Sequence, residues 1–240
     1  MMNLSAALAG ARQPGGTSPR ETLDEWRARK AREHAEVRAQ LIAEDRARQL
    51  AVLRRDSELG ARFASRTFAN WRLSPTTEEA LEAAKAVAAD PKRGLWLYGT
   101  VGSGKTHLGA SIANDALDHA IPAVFKTGVG VLERLRSSYE HNGNIRENER
   151  NIIAQYAAVD VLVLDDLGKE RFTAWSAEKF YELINCRYEK DKPIIVTSNL
   201  APTDLAAHWT ARDMDPAMGD SLVRRLIEMA GAVVLMGEPA

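Results

Sequence analysis

The chain has 240 residues, 45% hydrophobic and 27% charged, with a formal net charge of −1. That length holds one α/β domain plus an appendage, and the near-neutral balance excludes a global basic field for nucleic acid, so any DNA contact must come from a local patch. A single cysteine, Cys186, excludes an internal disulfide and a CxxC zinc site, and the five histidines are scattered without ligand spacing.

The N-terminal stretch MMNLSAALAGARQPGG has a short apolar patch with no basic residue before it, which makes a poor signal peptide. No apolar run approaches the ~20 residues of a membrane span. A cytoplasmic protein with no membrane partner is therefore expected. Residues 1–19, rich in Ala, Gly, Pro and Ser, predict a disordered leader. From Thr22 the texture changes: no Pro or Gly occurs before Gly60, and good helix formers dominate. Thr22 followed by Glu25 forms a capping-box pattern. The apolar positions Leu23, Trp26, Val37, Leu41, Ile42, Leu50 and Leu53 make only a narrow stripe, and arginines are in excess. Residues 20–58 therefore predict a helical region that is either solvated or docked on a partner.

Beyond Gly60, short apolar runs alternate with helical texture. The runs are GLWLYG (94–99), IPAVFKT (121–127), VDVLVLDD (159–166), KPIIVTSN (192–199) and AVVLMG (232–237). Continuous apolar strands separated by helices predict an α/β fold: a five-stranded parallel sheet with helices on both faces. The helical stretch after the second strand is expected to break near HNGN (141–144).

Between the first strand and the next helix, the chain fits G-x-x-x-x-G-K-[ST] with Gly99, Gly104, Lys105 and Thr106. Thr100, Val101, Gly102 and Ser103 complete the loop. Its glycines let backbone N–H groups turn toward one anion, and the helix start adds its positive end. Lys105 would reach the β- and γ-phosphates of ATP, and Thr106 would ligate Mg²⁺. His107, in the first helical turn, is counted with the nucleotide-binding loop from Gly99 onward; there a structural role fits better than that of a catalytic base. The third strand ends in paired carboxylates: Asp165 would hold Mg²⁺, and Asp166 would orient or deprotonate the attacking water. The fourth ends in Thr197, Ser198 and Asn199, at the ligand edge of a parallel sheet. Asn199 would touch the γ-phosphate or the lytic water; a cap of the following helix is the alternative.

Taken in order, GTVGSGKTHL, VLVLDDLG, IVTSNL and SLVRRLIEM resemble the DnaC/DnaI-type replicative helicase loaders and their relatives, the IstB transposition ATPases. These are AAA+ ATPases of the initiator clade. The resemblance covers about residues 60–237 and includes LGARFASRTFANW (59–71), similar to the segment preceding the ATPase core. It implies a P-loop NTPase of AAA+ type over 59–240, an ATP switch that hydrolyses ATP slowly. The partner it implies is a replicative ring helicase, docked by residues 20–58 and delivered to single-stranded DNA. It implies an initiator-type insertion around 128–146, with Arg134, Arg136 and Arg146 near DNA. It also implies an arginine finger at Arg225, with Arg224 as the less favoured neighbour, completing another subunit's site by self-association. Asp220–Ser221 departs from the acidic–arginine pair many relatives carry, which leaves a second arginine role in doubt. The chain ends soon after the fifth strand, so no separate C-terminal lid is expected. The competing readings are a transposition helper, a non-hydrolysing binding module and a small-molecule kinase; the last lacks an arginine-rich lid.

Overall fold

The computed structural model describes residues 22–72, 74–138, 145–170, 173–210 and 215–237. The expected leader at 1–19 and the break at 141–144 lie outside them. Contacts divide the chain into two units, Met1–Ala47 and Arg48–Ala240. The first helix, α1 (Leu23–Asp56), starts with the anticipated reciprocal cap. Thr22 N donates to Glu25 Oε2 at 2.7 Å, and Glu25 N donates to the Thr22 hydroxyl at 3.2 Å. No residue of α1 is buried, and Leu23, Trp26, Val37, Leu41 and Ile42 are exposed. Among the described residues no helix is long and apolar enough to cross a membrane.

The second unit begins with the end of α1, followed by α2 (Ala61–Ala64), two short 3-10 turns and α3 (Glu78–Ala89). The regular part follows as β1 (Leu95–Gly99), α4 (Lys105–Asp118), β2 (Ala123–Thr127), α5 (Gly128–Ser137) and α6 (Ile145–Ala158). It continues with β3 (Val161–Leu167), α7 (Ala174–Tyr188), β4 (Ile195–Ser198), α8 (Pro202–Thr210), α9 (Pro216–Ala230) and β5 (Val233–Met236). All five strands are parallel, in the order β2-β3-β4-β1-β5. Alternation along the strands sends Trp96, Val124, Leu162, Leu164 and Val196 to a core with α5 to α9. Their neighbours Leu95, Leu97, Phe125, Val163 and Ile195 pack instead with α3 and α4. Both faces are covered over β1 to β4, which explains why those strands read as unbroken apolar runs, whereas on β5 Val233 and Leu235 are exposed.

The strands start later than the apolar runs suggest, β4 at 195 rather than 192. Pro122 and Pro193 sit at two of these starts and cannot donate to a ladder. The sequence reading assigned no helix between Gly60 and β1. The structure places α3 there, burying Ala80, Leu81, Ala84 and Val87 at helical spacing.

Within the second unit, polar contacts tie the end of α1 to α4 and the sheet. Arg54 pairs with Asp118 on α4. Ser57 O accepts from Phe125 N at 2.9 Å, so the chain after α1 covers the β2 edge. Glu58 accepts from Lys126 at 2.5 Å and from the Tyr156 hydroxyl at 2.8 Å. Burial and this carboxylate push the Tyr156 hydroxyl well above its usual pKa.

Candidate functional site

The loop between β1 and α4 is shaped by close approach. Gly99 has φ of +136°, and a Cβ there would lie 2.2 Å from Met236 O on β5. Gly104 has φ of +95°, and its Cβ would meet the Trp71 ring at 2.4 Å. Both positions demand glycine for conformation and for space. Gly104 caps α4, so Lys105 is that helix's first residue.

Lys105 is only 6% exposed. Its ammonium donates to Gly99 O at 2.8 Å, Thr100 O at 2.6 Å and the Ser103 hydroxyl at 3.3 Å. Burial lowers its pKa, opposed by the carboxylates of Asp166 and Asp165. Loop carbonyls are uncharged acceptors, and a phosphate oxygen binds an ammonium more strongly. Lys105 is thus held where a phosphate can draw it away. Lys105→Ala is expected to lower ATP affinity at least ~100-fold, since a charge-assisted hydrogen bond contributes about 1.5–3 kcal/mol and the lysine would engage two phosphates. Equilibrium nucleotide titration with a melting curve checks it: undiminished affinity in a folded variant removes the assignment.

Asp165 and Asp166 end β3 with different surroundings. Asp165 is 3% exposed and accepts from the Thr197 hydroxyl at 2.6 Å. Burial raises its pKa, while hydrogen bonds from Thr197 and Thr106 oppose the rise. Asp166 adopts φ of +55° and turns toward the cavity, with Lys169 Nζ at 2.7 Å from its carboxylate. Asp166 N donates to the same Thr197 hydroxyl at 2.9 Å. Thr197 on β4 therefore ties the Asp165 carboxylate to the Asp166 backbone. The sequence placed Thr197 at the ligand edge without assigning it this role.

These elements open on a cavity of about 830 Å³. Val101 to His107, Asp166, Thr197 and Asn199 line it; Gly99 and Thr100 lie behind the lysine, and Asp165 lies beneath. The far wall is the segment before α3, including Arg62, Arg66, Trp71 and Arg72. The sequence motifs mark no site residue there, although its aromatic spacing (Phe63, Phe68, Trp71) is a readable signal. His107 lines the cavity too, but its Nε2 lies 3.0 Å from Thr67 O and its ring meets Trp71 edge-on at 5.1 Å. Its contacts hold the wall in place.

Arg225 lies outside this cavity, on α9. It donates to Asn185 Oδ1 at 2.6 Å and sits over Tyr181 and Tyr188, at 5.0 and 5.4 Å from their centroids. Neighbouring Arg224 is exposed. Arg134 turns toward Glu58 at 3.9 Å, and Arg136 lies over Trp175 at 4.9 Å. The side chain of Arg146 is outside the described residues.

The chain is similar to several known proteins. The family model for IstB-like ATP-binding proteins matches residues 41–239. A chromosomal replication initiator DnaA from Methylacidiphilum infernorum is 34% identical over 150 residues, covering 58% of this chain and 31% of that protein. An insertion-sequence ATP-binding protein from Mycobacterium tuberculosis is 30% identical over 148 residues, 62% of this chain and 55% of the other. The replicative helicase loader DnaI of Bacillus subtilis is 27% identical over 150 residues, 61% and 47% respectively. The chain thus spans about a third to a half of these relatives' lengths. Among solved structures, that of a DnaC helicase loader superimposes with a TM-score of 0.62 at 22% identity, over 74% of this chain and 100% of the other. The fold is that of the AAA+ P-loop proteins.

Proposed function

The chain belongs to the family of IstB-like ATP-binding proteins, and from that premise we propose that it is an ATPase whose nucleotide state governs delivery of a ring helicase to single-stranded DNA. The observation that carries the ATPase reading is the convergence of Lys105, Thr106, Asp166 and Asn199 on one cavity. Lys105 binds the β- and γ-phosphates, Asp166 orients the attacking water, and Asn199 senses the γ-phosphate. The Thr106 hydroxyl and the Asp165 carboxylate form an oxygen-donor pair of the kind Mg²⁺ takes, and the burial that raises the Asp165 pKa is a cost a cation would offset. When bound there, Mg²⁺ would neutralise phosphate charge.

The helicase reading is supported by the likeness to the B. subtilis loader and by α1, on which Leu23, Trp26, Val37, Leu41 and Ile42 are exposed among the described residues. The second reading, a transposition helper, is supported by the insertion-sequence relative. Self-association belongs to the proposal: for Arg225 to complete a neighbour's site it must exchange Asn185 for phosphate, whereas Arg224 already faces solvent. Single-stranded DNA is the ligand proposed for the α5–α6 region, with Arg134 and Arg136 as contacts once released from Glu58 and Trp175.

A pull-down from native extract separates the partners. The full chain should retain a hexameric helicase. Trp26→Asp combined with Ile42→Asp should reduce that capture at least about tenfold while ATP affinity stays within about twofold, because both residues are exposed on α1. Point variants are preferable to deleting residues 1–58, since Arg54, Ser57 and Glu58 hold the second unit. Recovery of a transposase establishes the second reading; undiminished helicase capture by the double variant removes α1 as the docking element.

A further inference from the structure

Four residues beyond Asp166 lies a carboxylate that the nucleotide chemistry does not use. In the sequence DDLGKERF, Glu170 has the look of a solvated loop residue. In the structure it is 0% exposed. The chain turns at Gly168, whose φ is +104°, and then points Lys169 outward and Glu170 inward. Both Glu170 oxygens accept from Gly168 N at 3.0 Å, and Oε1 also accepts from Trp209 Nε1 at 2.9 Å. An ideal Cβ on Gly128, the first residue of α5, would lie 2.6 Å from Oε2. The partners are all donors, and the N-terminus of α5 adds positive potential, which suits an acceptor-only carboxylate. Burial raises the Glu170 pKa, and the hydrogen bonds from backbone and Trp209 oppose the rise.

The contacts are arranged around the cavity without entering it. Gly168 follows Asp166 by two residues. Trp209 is in the last turn of α8, the helix that begins three residues after Asn199. Ser198 completes the weave, donating to Leu167 O at 2.6 Å and accepting from Leu200 N at 3.0 Å. We propose that Glu170 is a positioning residue: its buried carboxylate locks the loop carrying Asp166 to α5 and to α8, and so fixes where the Asp166 carboxylate stands. This rests on the reading of Asp166 as the water-handling group. Misplacing a catalytic group by about 1 Å can cost ~10²-fold, so a lock outside the cavity has kinetic weight.

Two variants of the full chain test it. Glu170→Gln keeps the size but sets an NH₂ group among donors. Gly128→Ala keeps Glu170 and all its donors but displaces the carboxylate with a methyl group, and alanine does not weaken α5. Each should lower kcat for ATP by about 10- to 100-fold while the ATP Kd stays within about threefold. Combined with Asp166→Asn, Glu170→Gln should cost less than about twofold more, since it acts through that carboxylate. A stabilising role alone would lower binding and kcat together and would add in full to Asp166→Asn. Either of those results, or normal kcat in both variants, overturns the proposal. If Glu170→Gln does not fold, Gly128→Ala carries the test. Wild-type turnover by Asp166→Asn alone would remove the underlying reading of Asp166 instead.

Discussion

Asp166→Asn should slow ATP hydrolysis by about 10²–10⁴-fold while Mg²⁺-ATP still binds. The geometry makes this substitution unusually clean. Asp166 sits at φ of +55°, a left-handed conformation that asparagine tolerates better than most residues. Its backbone N–H bond to Thr197 does not depend on the side chain. Its ion pair with Lys169 is solvent-screened, with side chains 31% and 57% exposed, so its loss changes stability little. What disappears is the carboxylate facing the cavity, and with it the capacity to orient or deprotonate water. Asp165, buried and accepting from the Thr197 hydroxyl, is left in place by this substitution. Single-turnover hydrolysis with a parallel nucleotide titration checks both halves. Turnover at the wild-type rate refutes the role. Loss of binding with loss of turnover would show that Asp166 serves the nucleotide rather than the water.

Arg187→Met is expected to destabilise the fold by about 3–5 kcal/mol, because it strips several buried carbonyls of their donor at about 1–3 kcal/mol each. Arg187 is 0% exposed. It donates to the carbonyls of Tyr156 at 2.9 Å, Val159 at 2.8 Å, Asp160 at 3.4 Å and Pro193 at 2.5 Å. These carbonyls close α6 and precede β3 and β4, so one guanidinium joins three elements at the edge of the sheet opposite the cavity. Burial lowers its pKa to about 10, which leaves it charged at neutral pH. Removal leaves several buried acceptors unpaired, each costing about 1–3 kcal/mol. Arg187→Lys should also fail, because an ammonium on a single stem cannot fork to four carbonyls. Thermal melting should fall by about 10 °C or more, whereas exposed Lys190→Ala should be near neutral. A melting temperature for Arg187→Met within about 2 °C of wild type would show that the carbonyls find other partners.

Local chemistry made much of this protein legible before its structure. A buried parallel strand has no polar face, so five apolar runs marked five strands. A phosphate cradle needs glycines, a lysine and a hydroxyl at fixed spacing, so 99–106 declared itself between a strand and a helix. Paired carboxylates near the end of an apolar run marked Asp165 and Asp166, which the structure places near the end of β3 before the loop at Gly168. The α1 cap was readable because Thr22 and Glu25 are three residues apart and need nothing else. Tertiary structure decided what depends on distant segments. The order β2-β3-β4-β1-β5 follows from how helices pack on the two faces, which strand periodicity does not encode. The cavity's far wall depends on α4 meeting Trp71 and Thr67. Arg225 is held by partners some 40 residues away in sequence on α7. Glu58, Glu170 and Arg187 sit in charged stretches that look solvated, yet folding brings each of them donors or acceptors from other elements. Sequence patterns report the next few neighbours along one element; whether a charged side chain is exposed or buried depends on the elements packed against it, and only the assembled fold supplies those.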